Sequence, residues 1–326
     1  MKKRILSGMR PTGPLHLGHL LGALGNWVKL QEEYECFFMI ADWHALMGEY
    51  ANSKKIAEYS LDNLKDWLSA GLDPEKSVIF KQSDVLEHAE LNLIFSIITP
   101  LGWLQRCPTY KEQIKELKDR DLSTHGFLGY PVLQAADILL YKAESVPVGE
   151  DQLPHLEFAR ELARRFHHLF GKNIFPEPEA LLAKTSKILG LDGRKMSKSY
   201  GNSIALSDKP DVIRGKVKGM FTDPQRIKRQ DPGRPEVCNV YKYYELFSPD
   251  KARDVSRECK AAKIGCVEDK ERFSELLIEY LKPLQDKRES LSSDTSYLKD
   301  LLRDGAIRAR EVASKTISEV REAIGL

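Results

Sequence analysis

The stretch Pro11-Thr12-Gly13-Pro14-Leu15-His16-Leu17-Gly18-His19 stands between a short apolar run, Arg4-Ile5-Leu6, and a helix-patterned segment that continues to Gln31. It reads as the turn that ends one strand and opens one helix. Such a turn points unpaired backbone N–H groups, and the positive end of the helix dipole, at whatever lies above it, which suits a phosphate. Two imidazoles three residues apart lie on one face of the first helical turn, so both can donate to the same polyphosphate. Gly18 leaves a flat gap where an aromatic ring can approach the backbone. Taken alone, the stretch fits equally well an ordinary strand-to-helix turn with incidental histidines.

Outward from this turn the alternation repeats. Residues 36–41 (CFFMIA) read as a buried strand, 56–68 as a helix, 77–80 as a strand, 134–141 as a helix and 146–148 as a short strand. Strands alternating with helices predict an α/β fold: a doubly wound, Rossmann-like parallel sheet covered on both faces. In such sheets ligands bind beyond the C-terminal ends of the strands. After Gly171 the pattern changes. Residues 171–178 (GKNIFPEP) read as a connector, and from about Lys209 only helix-length periodicity remains. Near the end Ala309, Val312, Ala313, Ile317, Val320, Ala323 and Ile324 recur at spacings of three and four, one apolar face that must be buried. The predicted organisation is a Rossmann-like domain over 1–181, a second, mostly helical domain over 182–300, and a C-terminal helix over 301–326 packing back on the chain.

With 326 residues the chain is long enough for two domains. Its 50 Lys and Arg against 48 Asp and Glu leave a formal charge of +2, so any polyanion site must come from local clustering. The basic opening MKKRILSG is not followed by an apolar run of signal-peptide length, and no stretch reaches the roughly 18 apolar residues that span a bilayer. A cytoplasmic protein without a membrane anchor is the expectation. Five cysteines, unevenly placed, do not make a disulfide framework, which agrees with a reducing compartment.

A second polar constellation is Gly193-Arg194-Lys195-Met196-Ser197-Lys198-Ser199-Tyr200-Gly201-Asn202. Compact ammonium groups in such a loop suit a charge that moves during reaction, such as pyrophosphate leaving an α-phosphate. A solvated basic turn is the plainer alternative. Residues 184–234 hold 13 Lys and Arg against 5 Asp, an excess of eight positive charges open to polyphosphate or a nucleic-acid backbone, or to water alone.

His-x-Gly-His near the start, followed by Lys-Met-Ser-Lys-Ser after the α/β half and before a helical domain, resembles the class I aminoacyl-tRNA synthetases. Gly129-Tyr130-Pro131-Val132-Leu133-Gln134-Ala135-Ala136-Asp137-Ile138-Leu139-Leu140-Tyr141 and Val146-Pro147-Val148-Gly149-Glu150-Asp151-Gln152 resemble the tryptophanyl-tRNA synthetases among them. So do Ser7 to Gly13 and the ending Ala309-Arg310-Glu311-Val312-Ala313. The resemblance implies an enzyme that activates L-tryptophan with ATP and Mg²⁺ and passes it to tRNA(Trp), working as a homodimer with the first domain catalytic.

In that family the nucleotide contacts match Arg10, Pro11, Thr12, Gly18, His19, Gly149, Glu150, Asp151, Ile188, Lys195, Met196, Ser197, Lys198 and Ser199. His16, His19, Lys195 and Lys198 take the catalytic places. Many relatives have Gln in place of Arg10 and Asn in place of His19, and each replacement still offers donors. The tryptophan pocket matches Gly8, His44, Asp137, Val148 and Gln152. Asp137 is an acid inside an apolar helical run, and an unpaired buried carboxylate is expensive, so a donor is expected for it. The resemblance supplies the substrate's indole N–H; a neighbouring Arg or backbone N–H is the alternative.

Some bacterial members hold an iron–sulfur cluster on four cysteines, and Cys238, Cys259 and Cys266 fall in that region. The fourth place, three residues after the third, is Asp269 here. Free thiols are the default expectation, with the cluster as the alternative. Three rival functions share parts of the pattern: a tyrosyl-tRNA synthetase, a small-molecule nucleotidyltransferase with His-x-Gly-His, and a catalytically inactive paralogue that binds tRNA or senses redox state.

Overall fold

β1 (Arg4–Met9), the strand that leads into the turn, pairs in parallel with β2 (Glu35–Ile40), and β2 with β3 (Ser77–Lys81). On its other side β1 pairs with β4 (Ser145–Val148), and β4 with β5 (Glu179–Leu182). The sheet is therefore parallel throughout, in the order β3-β2-β1-β4-β5. The computed structural model describes residues 2–107, 123–182 and 188–326. Every residue of β2 after Glu35 is buried, as a strand covered on both faces requires. The chain builds outward from β1 to β3 and then crosses to the other side of β1. The order thus switches at β1 and β4, and ligands of such sheets sit beyond the C-terminal ends of the strands at that switch.

The described residues form two compact units: Met1–Gly13, Ala23–Thr185 and Leu291–Leu326 make the first, Pro14–Gly22 and Ser186–Ser290 the second. The first unit holds the sheet and its covering helices. The second is mostly helical, with Pro210–Lys218, Asn239–Phe247, Pro249–Lys260 and most of Cys266–Ser292. Its core is aromatic, the ring of Phe273 meeting Tyr244 edge-on at 4.9 Å and Tyr243 at 5.8 Å. The segment Pro14–Gly22 goes with this unit because its backbone is tied there, as described below.

Two elements differ from the sequence expectation. β5 follows the connector, where no strand pattern was legible: its two middle residues are half-buried and its two end residues exposed, so that none is buried, as on a sheet edge. The helix expected from 17 to 31 is wound as a π-helix over Leu20–Leu24 before Gly25–Glu33 resumes the α form. π turns inside α-helices often mark functional sites, and Gly22 and Gly25 offer little resistance to the wider winding.

The last helix, Thr295–Ile324, lies on β3, with Ala306, Ala309, Ala313, Ile317 and Val320 in the sheet's core cluster. Gly305 is where helix and strand come closest, and a Cβ there would overlap the Ile79 carbonyl oxygen. Gly305→Ala gains about 1 kcal/mol of helix propensity. Forcing the helix off a backbone atom costs about 3 kcal/mol, and the overlap wins. A urea titration is expected to show this variant less stable by about 2 kcal/mol; equal or greater stability would contradict the packing described.

Candidate active site

His16 caps the helix that begins at Leu17. Its Nδ1 accepts from the Gly18 N–H (3.1 Å), and His19 Nδ1 accepts from the His16 N–H (3.1 Å), a reciprocal cap made by two imidazoles. Because each Nδ1 is an acceptor, the hydrogen of each neutral ring sits on Nε2. Burial, and then Lys198, lower the His16 pKa to about 4; burial, His16 and Lys198 hold His19 well below the usual imidazole range. Near neutral pH both rings are uncharged, and each has one N–H left to donate. The rings stand 3.9 Å apart. A Cβ on Gly18 would meet His16 Nδ1 at 2.9 Å, so the gap at this glycine is filled on one side by the capping ring.

The lysine loop is a hairpin closed by backbone bonds from Met196 N–H to Ile188 O (3.0 Å) and Gly190 N–H to Arg194 O (2.5 Å). Its turns use Gly193 at φ 81° and Gly201 at φ 61°, where an L side chain is strained. Inside it Asn202, 4% exposed, accepts from the Ser197 N–H (2.9 Å) and donates to Asp192 Oδ1 (2.8 Å) and the Lys195 carbonyl (3.2 Å). Ser199 lies in the 3-10 turn Lys198–Tyr200 that follows.

The residues after the loop are bound to the histidine segment. Leu17 N–H donates to Ile204 O (3.1 Å), Leu206 N–H donates to Leu15 O (2.9 Å), and His16 forms an antiparallel bridge with Ala205. Met196 Sδ lies 3.6 Å from where a Gly18 Cβ would stand. The two motifs are thus brought together within the second unit, with Lys198 close enough to shift both imidazoles.

Asn202 was not singled out in the sequence, although it closes the quoted loop. Asn202→Ala strips three hydrogen bonds from that loop, a loss of about 1 to 3 kcal/mol of local order. Proteolytic cleavage within 188–202 is expected to speed by about tenfold, and an unchanged rate would refute the bracing role.

In the first unit Asp137, 2% exposed on helix His125–Leu140, has protein donors on both oxygens. Gln82 Nε2 donates to Oδ1 (2.8 Å), where His88 Nδ1 also binds (2.7 Å), and His44 Nε2 binds Oδ2 (2.8 Å). Burial pushes the carboxyl up, but the bonds from His44 and His88 outweigh it and hold the group below its ordinary range. None of these donors is the Arg or backbone N–H weighed as the alternative to the indole; His44, expected in the tryptophan pocket, is one of them. The others, Gln82 and His88, were missed, although Gln82 directly follows β3 and a strand's C-terminal end is where polar residues draw attention.

The remaining expected residues sit at the ends of β1 and β4. A Cβ on Gly8 would meet the Met39 carbonyl oxygen at 2.9 Å, and Arg10 O accepts from Thr12 N–H (2.9 Å) across buried Pro11. Half-buried Val148 ends β4, and the Glu150–Gln152 turn follows, with Asp151 Oδ1 folded over Gly149 and Gln152 Nε2 donating to Asp151 Oδ2 (2.9 Å).

His155, buried in the first unit with its Nε2 3.2 Å from the Tyr130 hydroxyl, is also lowered to about 4, by burial first and then by His44. An unfolded imidazole titrates near 6.5, so between there and about 4 the unfolded chain binds more protons than the folded one. Stability from His16 and His155 is complete above that window and is lost as pH falls through it. The urea midpoint is expected to drop on going from pH 6.5 to 4, and a rise would contradict these environments.

The cysteine region does not fit an iron–sulfur cluster. The Arg226 guanidinium stands 3.6 Å from Cys259 Sγ and 3.9 Å from Cys266 Sγ, and it also donates to the carbonyls of Arg229 (2.9 Å) and Ile264 (2.7 Å). Soft iron sites take thiolates, whereas here a cation lies against two sulfurs and the fourth place is the buried carboxyl of Asp269, pushed up to about 6 by burial. Among the described residues no group of three or more His, Cys, Asp and Glu is arranged to hold a metal ion. Cys238, Cys259 and Cys266 are free thiols. Of the basic cluster, Arg194, Arg214, Lys216, Arg229 and Arg234 are each held in an ion pair, which leaves fewer charges for a polyanion than the sequence count suggests.

A parallel sheet with its order switch at β1 and β4, and a His-x-Gly-His helix start hydrogen-bonded to the residues just after a Lys-Met-Ser-Lys-Ser loop, define a nucleotide-using enzyme of the class I synthetase type. The chain belongs to the family described as tRNA synthetases class I (W and Y), whose model matches residues 1–282. It is 53% identical over 326 residues to the tryptophan–tRNA ligase of Thermotoga maritima, covering 99% of each chain. It is 45% identical to that of Aquifex aeolicus, covering 99% of this chain and all of the relative. The crystal structure of Campylobacter jejuni tryptophanyl-tRNA synthetase complexed with ADP and tryptophan superimposes with a TM-score of 0.93 at 36% identity, over 99% of this chain and 100% of that one. No helix of the described residues is long and apolar enough to cross a membrane.

Proposed function

We propose that this chain is an ATP-dependent tryptophan–tRNA ligase. In the first step a carboxylate oxygen of L-tryptophan bonds to the α-phosphorus of ATP, and the bond from that phosphorus to the bridging oxygen breaks, releasing pyrophosphate. In the second, a hydroxyl of the terminal ribose of tRNA(Trp) attacks the activated carbonyl and AMP leaves. No side chain becomes covalently bound, so the rate comes from positioning and from charge stabilisation.

The neutral His16 and His19 give their Nε2–H groups to the phosphates, and Gly18 admits the adenine. Lys195 and Lys198 neutralise the departing pyrophosphate together with Mg²⁺, which enters with ATP. Met196, Ser197 and Ser199 of the same loop, Ile188, and the strand-end residues Arg10, Pro11, Thr12, Gly149, Glu150 and Asp151 complete the nucleotide contacts. Asp137 takes the indole N–H, with Gly8, His44, Val148 and Gln152 around the substrate. The chain works in the cytoplasm as a homodimer, for which family likeness is the support.

The observation that carries this reading is the pair of backbone bonds joining Leu15 and Leu17 to Leu206 and Ile204, which holds the imidazoles beside the lysine loop. A tyrosine-specific enzyme is the weaker reading, since both named ligase relatives and the superimposable structure are tryptophan enzymes. The test is charging: with ATP and tRNA the protein is expected to esterify labelled tryptophan onto tRNA(Trp) and to leave tyrosine free. Charging with tyrosine, or none at all, would overturn the proposal.

A further inference from the structure

His88 belongs to no motif. Yet it is 0% exposed, and both its ring nitrogens are engaged: Nδ1 lies 2.7 Å from Asp137 Oδ1, and Nε2 lies 2.8 Å from the Tyr141 hydroxyl. Tyr141 is fully buried as well, its ring 4.8 Å from Phe37 of β2 and 5.5 Å from Phe80 of β3. A phenol so enclosed keeps its hydrogen: burial and Asp137 push its pKa well above the ordinary value. It therefore donates to Nε2, which places the ring hydrogen of His88 on Nδ1, where it donates to Asp137.

Asp137 is in this way gripped from three elements: by Gln82 at the end of β3, by His88 on helix Glu87–Ile98 and by His44 on helix Asp42–Glu49. Two donors fill Oδ1. Among the described residues Oδ2 accepts from His44 alone, and a carboxylate oxygen has room for two donors. With both oxygens engaged the carboxylate cannot turn, so the one open acceptor direction on Oδ2 is fixed.

We infer that His88, oriented by the Tyr141 hydroxyl behind it, is a positioning residue that aims the open lone pair of Asp137 at the N–H of an aromatic substrate and thereby sets selection for substrates carrying that N–H. This rests on the tryptophan reading above. A site built around a substrate N–H rejects the analogue lacking it by large factors, because its own buried acceptor is then left unpaired. His88 and Tyr141 owe their effect to geometry at one remove and touch no substrate.

The test compares tryptophan with its benzothiophene analogue, in which sulfur replaces the indole N–H, in ATP–pyrophosphate exchange. The full chain should prefer tryptophan in kcat/KM by on the order of 100-fold or more. His88→Phe keeps the ring volume but neither hydrogen bond. It is expected to raise KM for tryptophan about 30-fold, to leave KM for ATP within about twofold, and to bring the preference over the analogue close to one. His88→Asn, whose amide N–H stands where Nδ1–H stood, should recover most of the preference. Tyr141→Phe, the mildest change, takes the donor from His88 Nε2; it should move KM for tryptophan about threefold to tenfold in the same direction while KM for ATP stays within about twofold, with a modestly lower urea midpoint.

A preference retained in His88→Phe, or KM values for tryptophan and ATP that rise together without rescue by Asn, would overturn the positioning role. Should His88→Phe not fold, an unaltered preference in Tyr141→Phe overturns it equally. If the unsubstituted protein does not prefer tryptophan to the analogue, the assignment of Asp137 to the indole fails, and the inference with it.

Discussion

Lys198→Ala is expected to lower the rate of tryptophan activation by a factor of about 100 to 1000 while tryptophan still binds. Removing one well-placed donor to a charge that develops in the transition state costs about 3 to 4 kcal/mol. Lys198 is close enough to both imidazoles to lower them, and in the proposed mechanism its ammonium and their Nε2–H groups bear on the same anion. Removing the lysine leaves the imidazoles neutral, since burial is the larger cause of their low pKa values, and they then stabilise the leaving pyrophosphate without a cation. Single-turnover formation of the adenylate measures this step apart from product release. A rate within about threefold of the unsubstituted protein would remove Lys198 from the mechanism.

Asp137→Ala is expected to do double damage. His44, His88 and Gln82 lose their shared buried acceptor, and breaking a buried pair by deleting one partner costs about 3 to 5 kcal/mol. The variant should unfold at clearly lower urea concentration and lose selection for tryptophan far more than binding of ATP. Acidification makes the same point without mutation. The folded carboxyl titrates below its ordinary range, so its contribution is complete above that range and is lost as pH falls through the folded value. In Asp137→Ala that acid-sensitive part of the stability should be absent. A variant as stable and as selective as the parent would mean that the carboxylate is neither structural anchor nor indole acceptor.

These two residues also show what was legible in the sequence. Lys198 and the histidine pair stand in short motifs whose chemistry follows from residue type and spacing, and the apolar run of β2 announced a strand buried on both faces. Asp137 was legible as an anomaly, an acid in an apolar helix, but its partners were not. Gln82, His88 and His44 converge on it from sequence separations of 55, 49 and 93 residues. Only the parallel pairing of β1, β2 and β3 brings their elements together, and nothing local encodes that convergence. Asn202 was hidden for the opposite reason: at the end of a loop it looks like one more turn residue, and its role appears only once its amide is seen to bridge both sides of the hairpin. The cysteines left free thiols, the default, and a cluster both open, because spacing along the chain does not reveal the arginine that occupies the ground beside two of the sulfurs. The edge strand β5 escaped because an edge carries little apolar signal.

The proposed function joins two parts: the imidazoles and the lysine loop act on one triphosphate, and a fixed carboxylate chooses an indole. Exchange of labelled pyrophosphate into ATP, measured with tryptophan, with tyrosine and with no amino acid, addresses both at once. Exchange that requires tryptophan and is not supported by tyrosine is the predicted result; exchange without an amino acid, or with tyrosine as readily as with tryptophan, would contradict it.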